Sequence, residues 1–500
     1  IMAPLLAAAL ALTACSGSGP HEFAPLSTPP ATGPAPSPTH PNIVFVLTDD
    51  LTANLVTYMP HVRALMQAGM SFSNYTVTDS LCCPSRASIF SGRFPHDTHI
   101  YTNTWPRGGF VKFHDYGEEA NTFATTLHAA GYRTAFMGKY LNGYQPQAHY
   151  NGQAGAYVPA GWSTWNAVGA RGYDEFRYTI TDGHASKSYG AAPRDYLTTV
   201  LDHNAVNYVR AASTQHNPFL LEVATFAPHL PYVPAPADLG TFSTLREPHT
   251  PAFNRVPSPA PRWMVGRRPL TGTELRGARD AFDLRVESVQ SVDRMVGHLE
   301  TALQKSGQAK NTLFVFSSDN GYHLGEYTLA LGKQTAFDTD IHVPLVIAGP
   351  GIPAGVTNSD VVENIDLRPT FEELAGAPTP AMVDGRSLVP LLHGQLPAWR
   401  EVALVEHHHP RNTPTDPDAQ NKYAGDPPTY TAIRTPQYVY VRYVTGDREY
   451  YNLVRDRYEL HNLGPSLSQA RVRELDRIMN ALVACHDGHA CWRAGLGDPD

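Results

Sequence analysis

Four short apolar runs, each passing directly into polar residues, limit what this chain can become. Asn42-Ile-Val-Phe-Val-Leu-Thr48 leads into Asp49-Asp50, and Arg133-Thr-Ala-Phe-Met137 leads into Gly138-Lys139. Pro218-Phe-Leu-Leu-Glu-Val-Ala-Thr225 is followed by Pro228-His229, and Asn311-Thr-Leu-Phe-Val-Phe316 leads through Ser317-Ser318 to Asp319-Asn320. A run that does not alternate is a strand buried on both faces, the habit of parallel sheets covered by helices. Helical spacing at residues 60–69, 121–131, 195–212 and 271–306, with a further strand at 343–348, supplies the alternation of strand and helix. The spacing therefore predicts an α/β fold, a mostly parallel sheet flanked by helices. Its ligand site belongs at the strand C-termini, where the polar tails lie.

Composition shifts after Trp399. Segments at 430–434, 437–443 and 449–453 have the pattern of antiparallel strands, and 466–483 that of a helix. This divides the chain into a large domain over residues 42–399 and a smaller C-terminal α+β domain over 400–500. Residues 231–269 are proline-rich and lack periodicity, so a long surface excursion is expected there. The net charge of −8 provides no field to hold nucleic acid, so an anion site has to be local.

Residues 1–15 carry an apolar run ending in Leu12-Thr-Ala-Cys15, which resembles a lipoprotein signal that would leave Cys15 lipidated. An uncleaved apolar N-terminus is the other reading. Residues 16–41, rich in Ser, Gly, Pro, Thr and Ala, form a tether. An exported protein is expected, either secreted or lipid-anchored at the outer face of a bacterial cytoplasmic membrane. Cys485 and Cys491 are placed to close a small disulfide loop in such a compartment. The remaining cysteines are adjacent.

These are Cys82 and Cys83, in Thr78-Asp-Ser-Leu-Cys-Cys-Pro-Ser-Arg-Ala-Ser-Ile-Phe-Ser-Gly92. Pro84 marks a helix start, which puts Cys82 at a helix N-terminus, where backbone N–H groups and the dipole favour an anion; Arg86 adds a fixed charge one turn on. By itself the pentapeptide is equally a buried cysteine pair beside a helix cap. Cys82-Cys83-Pro84-Ser85-Arg86 nevertheless matches the Cys-x-Pro-x-Arg signature of type I sulfatases, and the resemblance runs from Asn42 to His461-Asn-Leu463. Leu81-Cys-Cys-Pro-Ser-Arg-Ala-Ser88, Gly138-Lys-Tyr-Leu-Asn142, Tyr157-Val-Pro-Ala-Gly-Trp162 and Ser318-Asp-Asn-Gly-Tyr-His323 resemble the N-acetylglucosamine-6-sulfatase and arylsulfatase branch.

The resemblance implies an alkaline-phosphatase-like fold and conversion of Cys82 to formylglycine by a formylglycine-generating enzyme. It further implies one divalent cation, Ca²⁺ ahead of Mg²⁺, on Asp49, Asp50, Asp319 and Asn320 and on residue 82 itself. Hard oxygen donors suit those ions and not zinc. Arg86, Lys139, His229 and Lys333 fall at the family's catalytic positions and His323 at a substrate contact. The aldehyde hydrate at residue 82 would attack sulfur, with His229 as proton donor to the leaving oxygen. One departure stands out, because many arylsulfatases have histidine where this chain has Leu141, so the base that acts on the hydrate is unassigned. His407-His-His409 reads as a loop at the cleft rim. A sulfated sugar or aryl sulfate is the implied substrate. The rivals are a phosphodiesterase or phosphonate monoester hydrolase of the same superfamily, and a sulfate-ester-binding protein with an unconverted cysteine and no turnover.

Overall fold

The computed structural model describes residues 40–497 except 147–154, 216, 244, 246–248, 410–415, 417 and 421–422. The signal segment with Cys15, and all but the last two residues of the tether, lie outside the described residues.

The main sheet has ten strands: β1 (Asn42–Thr48), β2 (Met70–Phe72), β3 (Arg133–Lys139), β4 (Thr164–Val168), β5 (Thr179–Asp182), β6 (Ala185–Ser188), β7 (Phe219–Ala224), β8 (Thr312–Ser318), β9 (Leu345–Ala348) and β10 (Val356–Asn358). Their spatial order is β10-β2-β9-β8-β1-β7-β3-β4-β5-β6. From β8 to β4 all neighbours are parallel, and β1 lies at the centre between β7 and β8. The mostly parallel α/β sheet is as the apolar runs require. β9 differs: its run was expected to continue the parallel alternation, yet it pairs antiparallel with β8 and with β2. A buried apolar run has the same composition in either direction, so only its partners set its sense.

β1 shows why these runs do not alternate. Ile43, Phe45 and Leu47 face one hydrophobic cluster while Val44 and Val46 face another, and all five are fully buried. The second cluster is covered by one uninterrupted 34-residue helix, Gly272–Lys305, about 51 Å long at 1.5 Å per residue. Its start is a capping box, with Glu274 accepting from Thr271 N at 3.0 Å. The opposite face is covered by helices that include Cys82–Ser91 and Leu367–Leu374, whose Phe90 and Phe371 belong to the first cluster.

The C-terminal part is a four-stranded antiparallel sheet of Ala403–His407, Tyr430–Arg434, Tyr438–Tyr443 and Arg448–Asn452. The expected helix spans Gln469–Val483, and a second one, Gly488–Gly495, follows it. Cys485 and Cys491, between and within these helices, are joined in a disulfide. His407 corrects the loop expected for the histidine triplet, since it ends a strand and is fully buried. No helix among the described residues is long and apolar enough to cross a membrane.

Candidate active site

β8, β1 and, one strand beyond β7, β3 end on the same edge of the sheet and deliver Asp319-Asn320, Asp49-Asp50 and Lys139 to a common place. Lys139 and Ser317-Ser318 prove to be the last residues of their strands and not the first residues beyond them. Asp50 sits in the left-handed region with φ 64°, a conformation that costs about 1 kcal/mol or more outside glycine and needs support. Support comes from both sides: its N–H donates to Asp319 Oδ1 at 3.2 Å, and its carbonyl accepts from the buried Arg285 at 2.5 Å.

The helix Cys82–Ser91 begins against these strand ends, with Leu81 as its N-cap. Arg86, one turn in, donates through Nε to Asp319 Oδ2 at 2.7 Å and through Nη1 to the Lys139 carbonyl at 2.8 Å. Ser85 Oγ donates to the Asp319 carbonyl, and Asn364 Nδ2 donates to Ser85 Oγ at 3.0 Å. The helix is thereby locked to β8 by its first-turn side chains.

Cys82 Sγ lies 3.2 Å from Asp49 Oδ1, 2.8 Å from Lys333 Nζ and 3.5 Å from Asp418 Oδ2. Burial, then the charges of Asp418 and Asp49, push its thiol well above the usual range, so the thiolate expected of a cysteine nucleophile is disfavoured here. Lys139 is paired with Asp49, and its ammonium stands 5.0 Å over the Tyr173 ring. Lys333 also reaches Asp50 Oδ1 at 2.6 Å and Asp418 Oδ1 at 2.8 Å. His229 Nε2 is 2.8 Å from Asp418 Oδ1 and 3.6 Å from Asp50 Oδ2. Burial opposes the His229 imidazolium, but Asp50, Asp49 and Asp418 outweigh it and raise the pKa. The cluster thus sets four carboxylates against Arg86, Lys139, His229 and Lys333, all buried.

Two oxygens in this cluster have no hydrogen-bond partner, Asp50 Oδ2 and Asn320 Oδ1, although both are buried. Asn320 is oriented by its Nδ2, which donates to Asp50 Oδ1 at 2.6 Å. Ligand atoms of Asp49, Asp50, Cys82 and His229 lie within 4.8 Å of one another. Unpaired buried oxygens beside carboxylates fit a hard divalent cation and leave a real cost without one. Asp319 is the most committed of the expected ligands, since Arg86 and the Asp50 N–H take both its oxygens.

The structure therefore brings together Asp49, Asp50, Cys82, Arg86, Lys139, His229, Asp319, Asn320 and Lys333. His323 does not join them. Its Nδ1 faces Asp340 at 3.0 Å and its Nε2 the Ala424 carbonyl at 2.5 Å, so it offers no free edge for the expected substrate contact. Leu141 packs into the apolar cluster with Tyr140 and Tyr144, and hydrophobic burial replaces the missing histidine. Sequence reasoning missed Asp418 and Asn103. Asn103 donates to Asp418 Oδ2 at 2.6 Å and accepts from Cys83 N at 2.9 Å. The only signal for Asp418 was a polar Asp416-Pro-Asp418 stretch between C-terminal strands, with no periodicity to give it a direction.

A family model described as Sulfatase matches residues 41–377, and one described as N-sulphoglucosamine sulphohydrolase, C-terminal, matches residues 325–484. The chain is 33% identical to the N-acetylglucosamine-6-sulfatase of Capra hircus over 496 residues, covering 93% of this chain and 87% of that protein. It is 29% identical to an arylsulfatase of Volvox carteri, covering 90% and 75%. Among solved structures, one in complex with its substrate D-glucosamine-2-N,6-O-disulfate superimposes with a TM-score of 0.74 at 22% identity, covering 88% of this chain and 97% of that one. A phosphonate monoester hydrolase of Silicibacter pomeroyi gives 0.68 at 21%, covering 89% and 94%. At such identities these last two speak for the fold alone.

Proposed function

The chain belongs to the sulfatase family and is a sulfatase enzyme, and on that footing we propose that it hydrolyses 6-sulfated N-acetylglucosamine-type sugars or aryl sulfates with residue 82 as formylglycine. The observation that carries this reading is Cys82 buried at a helix N-terminus between Lys333 at 2.8 Å and Asp49 at 3.2 Å, beside Asp50 Oδ2 and Asn320 Oδ1, which accept no hydrogen bond. Asp49, Asp50, Asp319 and Asn320 would hold one divalent cation, Ca²⁺ ahead of Mg²⁺. That cation would draw charge from the sulfuryl oxygens, and the hydrated aldehyde would supply the attacking hydroxyl.

The chain's own side chains do the rest. Arg86, fixed by Asp319 and the Lys139 carbonyl, has Nη2 buried and without a partner, a donor in reserve for an anion. Lys139 and Lys333 bring positive charge to either side of residue 82. His229 has its Nδ1 on the Leu230 carbonyl at 2.6 Å and its Nε2 on Asp418 Oδ1 at 2.8 Å, so Nε2 would pass its proton to a leaving oxygen only once substrate takes the place of that carboxylate. Burial of every charged group excludes water and strengthens each of these interactions. Maturation would need a formylglycine-generating enzyme. Export, with or without a lipid on Cys15, is supported by relatives described as extracellular sulfatases.

Two measurements test the reading. The mass of the tryptic peptide holding residue 82 should be that of formylglycine; an unmodified thiol in active protein would sink it. Turnover of a nitrophenyl sulfate should exceed that of a nitrophenyl phosphodiester, and dominance of the phosphodiester would move the assignment to the phosphonate and phosphodiester hydrolases that share the fold.

A further inference from the structure

A second cluster of ligating side chains forms where the chain just beyond the catalytic helix meets the disulfide-closed turn, and it shares no residue with the group around Cys82. Pro95–Thr98, a single helical turn that follows the helix Cys82–Ser91, supplies His96 and Asp97. His486 comes from the turn that the Cys485–Cys491 disulfide closes. One ligand atom from each of the three lies within 4.8 Å of the others. His96 Nε2 stands 3.6 Å from Asp97 Oδ2, and His486 Nδ1 stands 2.6 Å from Asp97 Oδ1. Two ligands of a tetrahedral ion, each about 2.1 Å from it, are about 3.4 Å apart, so these atoms need only small rotamer shifts to share one.

Two observations separate the cluster from an ordinary surface network. Asp97 is only 9% exposed, and its Oδ2 accepts no hydrogen bond although it faces His96 Nε2. A buried carboxylate oxygen without a donor carries a desolvation cost that a cation at that point would offset. His96, in turn, is held as metal-bound imidazoles are held. Its Nδ1 lies on Glu406 Oε2 at 2.7 Å, which fixes the ring and turns Nε2 toward Asp97 and the Cys485 carbonyl at 2.9 Å.

We propose that His96 Nε2, Asp97 Oδ2 and His486 Nδ1 form a structural site for a divalent transition metal, Zn²⁺ by its donors, that clamps the C-terminal disulfide turn to the catalytic part of the chain. Two imidazoles and one carboxylate suit Zn²⁺, in contrast to the oxygen donors beside Cys82. The His486 side chain is 67% exposed, which leaves a fourth position open to water. A metal on His96 Nε2 takes the place of the proton shared with the Cys485 carbonyl, and that proton leaves to solvent; the metal-free protein keeps it. The disulfide closes a separation of 6 residues, whereas the clamp joins Asp97 to His486 across 389. Long loops gain most from such a clip, because their ends are otherwise the least confined. The inference stands independently of the sulfatase reading.

The test titrates Zn²⁺ into the Ca²⁺-saturated protein against a chromophoric chelator and follows thermal melting alongside. Wild type should take up one equivalent and melt at a higher temperature with it. In His486→Ala, a change at a mostly exposed side chain, affinity for that equivalent should fall by about tenfold or more and the melting shift should vanish, while turnover of nitrophenyl sulfate stays at the wild-type rate. Glu406→Gln, which loosens the His96 ring, should weaken zinc by about 10- to 100-fold. A wild type that takes up no zinc overturns the site. So does an equivalent bound equally well by wild type and His486→Ala, since that ion would sit elsewhere.

Discussion

Asp418 Oδ1 stands 2.8 Å from Lys333 Nζ; Lys333 comes from the connection between β8 and β9 of the main sheet, and Asp418 from the connection between the first two strands of the C-terminal sheet. Burial alone would raise the Asp418 carboxyl, but Lys333, then His229, holds it well below the usual range, so it is ionised. A carboxylate of the chain thus rests on cations that, in the proposed mechanism, an incoming sulfuryl group would need. Asp418→Asn removes that competitor, and inorganic sulfate should inhibit at about tenfold lower concentration, or 1.4 kcal/mol. Product-inhibition kinetics on nitrophenyl sulfate read this directly, and an unchanged or weaker inhibition constant would refute it.

Removal of divalent metal should be felt in both activity and stability. Asp50 Oδ2 and Asn320 Oδ1 have no hydrogen-bond partner, and Asp49 is pushed up by burial and by the charge of Asp319 and Asp50, with Lys139 and His229 opposing. Chelation should therefore abolish turnover, and Ca²⁺ at about 100 times its dissociation constant should return about 2.7 kcal/mol of stability. Thermal melts with and without Ca²⁺ check the second part. A melting temperature indifferent to Ca²⁺ would remove the cation from the site.

Glu222 is a fully buried carboxyl in the central strand β7 with neither oxygen hydrogen-bonded, and burial, opposed by Arg86, lifts its pKa to about 8. An acid raised in the folded state loses stability as pH climbs from its unfolded value, near 4.5, to 8, because unfolding then releases a proton. Glu222→Gln removes that penalty. The variant should melt at the wild-type temperature near pH 5 and above it near pH 8, by a few kcal/mol at most. A variant less stable at both values would show that the carboxylate is needed charged.

His96, partly buried against Glu406 and the Cys485 carbonyl, should give a slope of the same sign over a higher pH range. Burial works against its charge, but the hydrogen bond and charge of Glu406, with the Cys485 carbonyl, raise its pKa to about 9. A raised histidine stabilises fully below its unfolded value of about 6.5 and loses that contribution as pH passes 9. The upper limit is about 3 kcal/mol. His96→Gln should flatten the wild-type decline of stability between pH 6.5 and 9, measured by urea unfolding, and an identical slope in the variant would rule His96 out as its source.

What the residue order determined is local. Uninterrupted apolar runs made buried strands at Asn42–Thr48, Arg133–Lys139, Phe219–Ala224 and Thr312–Ser318, because a strand covered on both faces has no polar position to spare. Pro84 and Arg86 likewise announced the helix that carries Cys82, since capping and first-turn chemistry depend only on near neighbours. Tertiary structure alone decided the rest. It set the antiparallel sense of Leu345–Ala348, which composition cannot encode, and turned both nitrogens of His323 inward onto Asp340 and Ala424. It also brought Asp418 to Cys82 across 336 positions of sequence. No period in the sequence spans such a separation; the contact follows from how the C-terminal segment packs over the strand ends, and it adds a third charge beside Cys82 to those of Lys333 and Asp49.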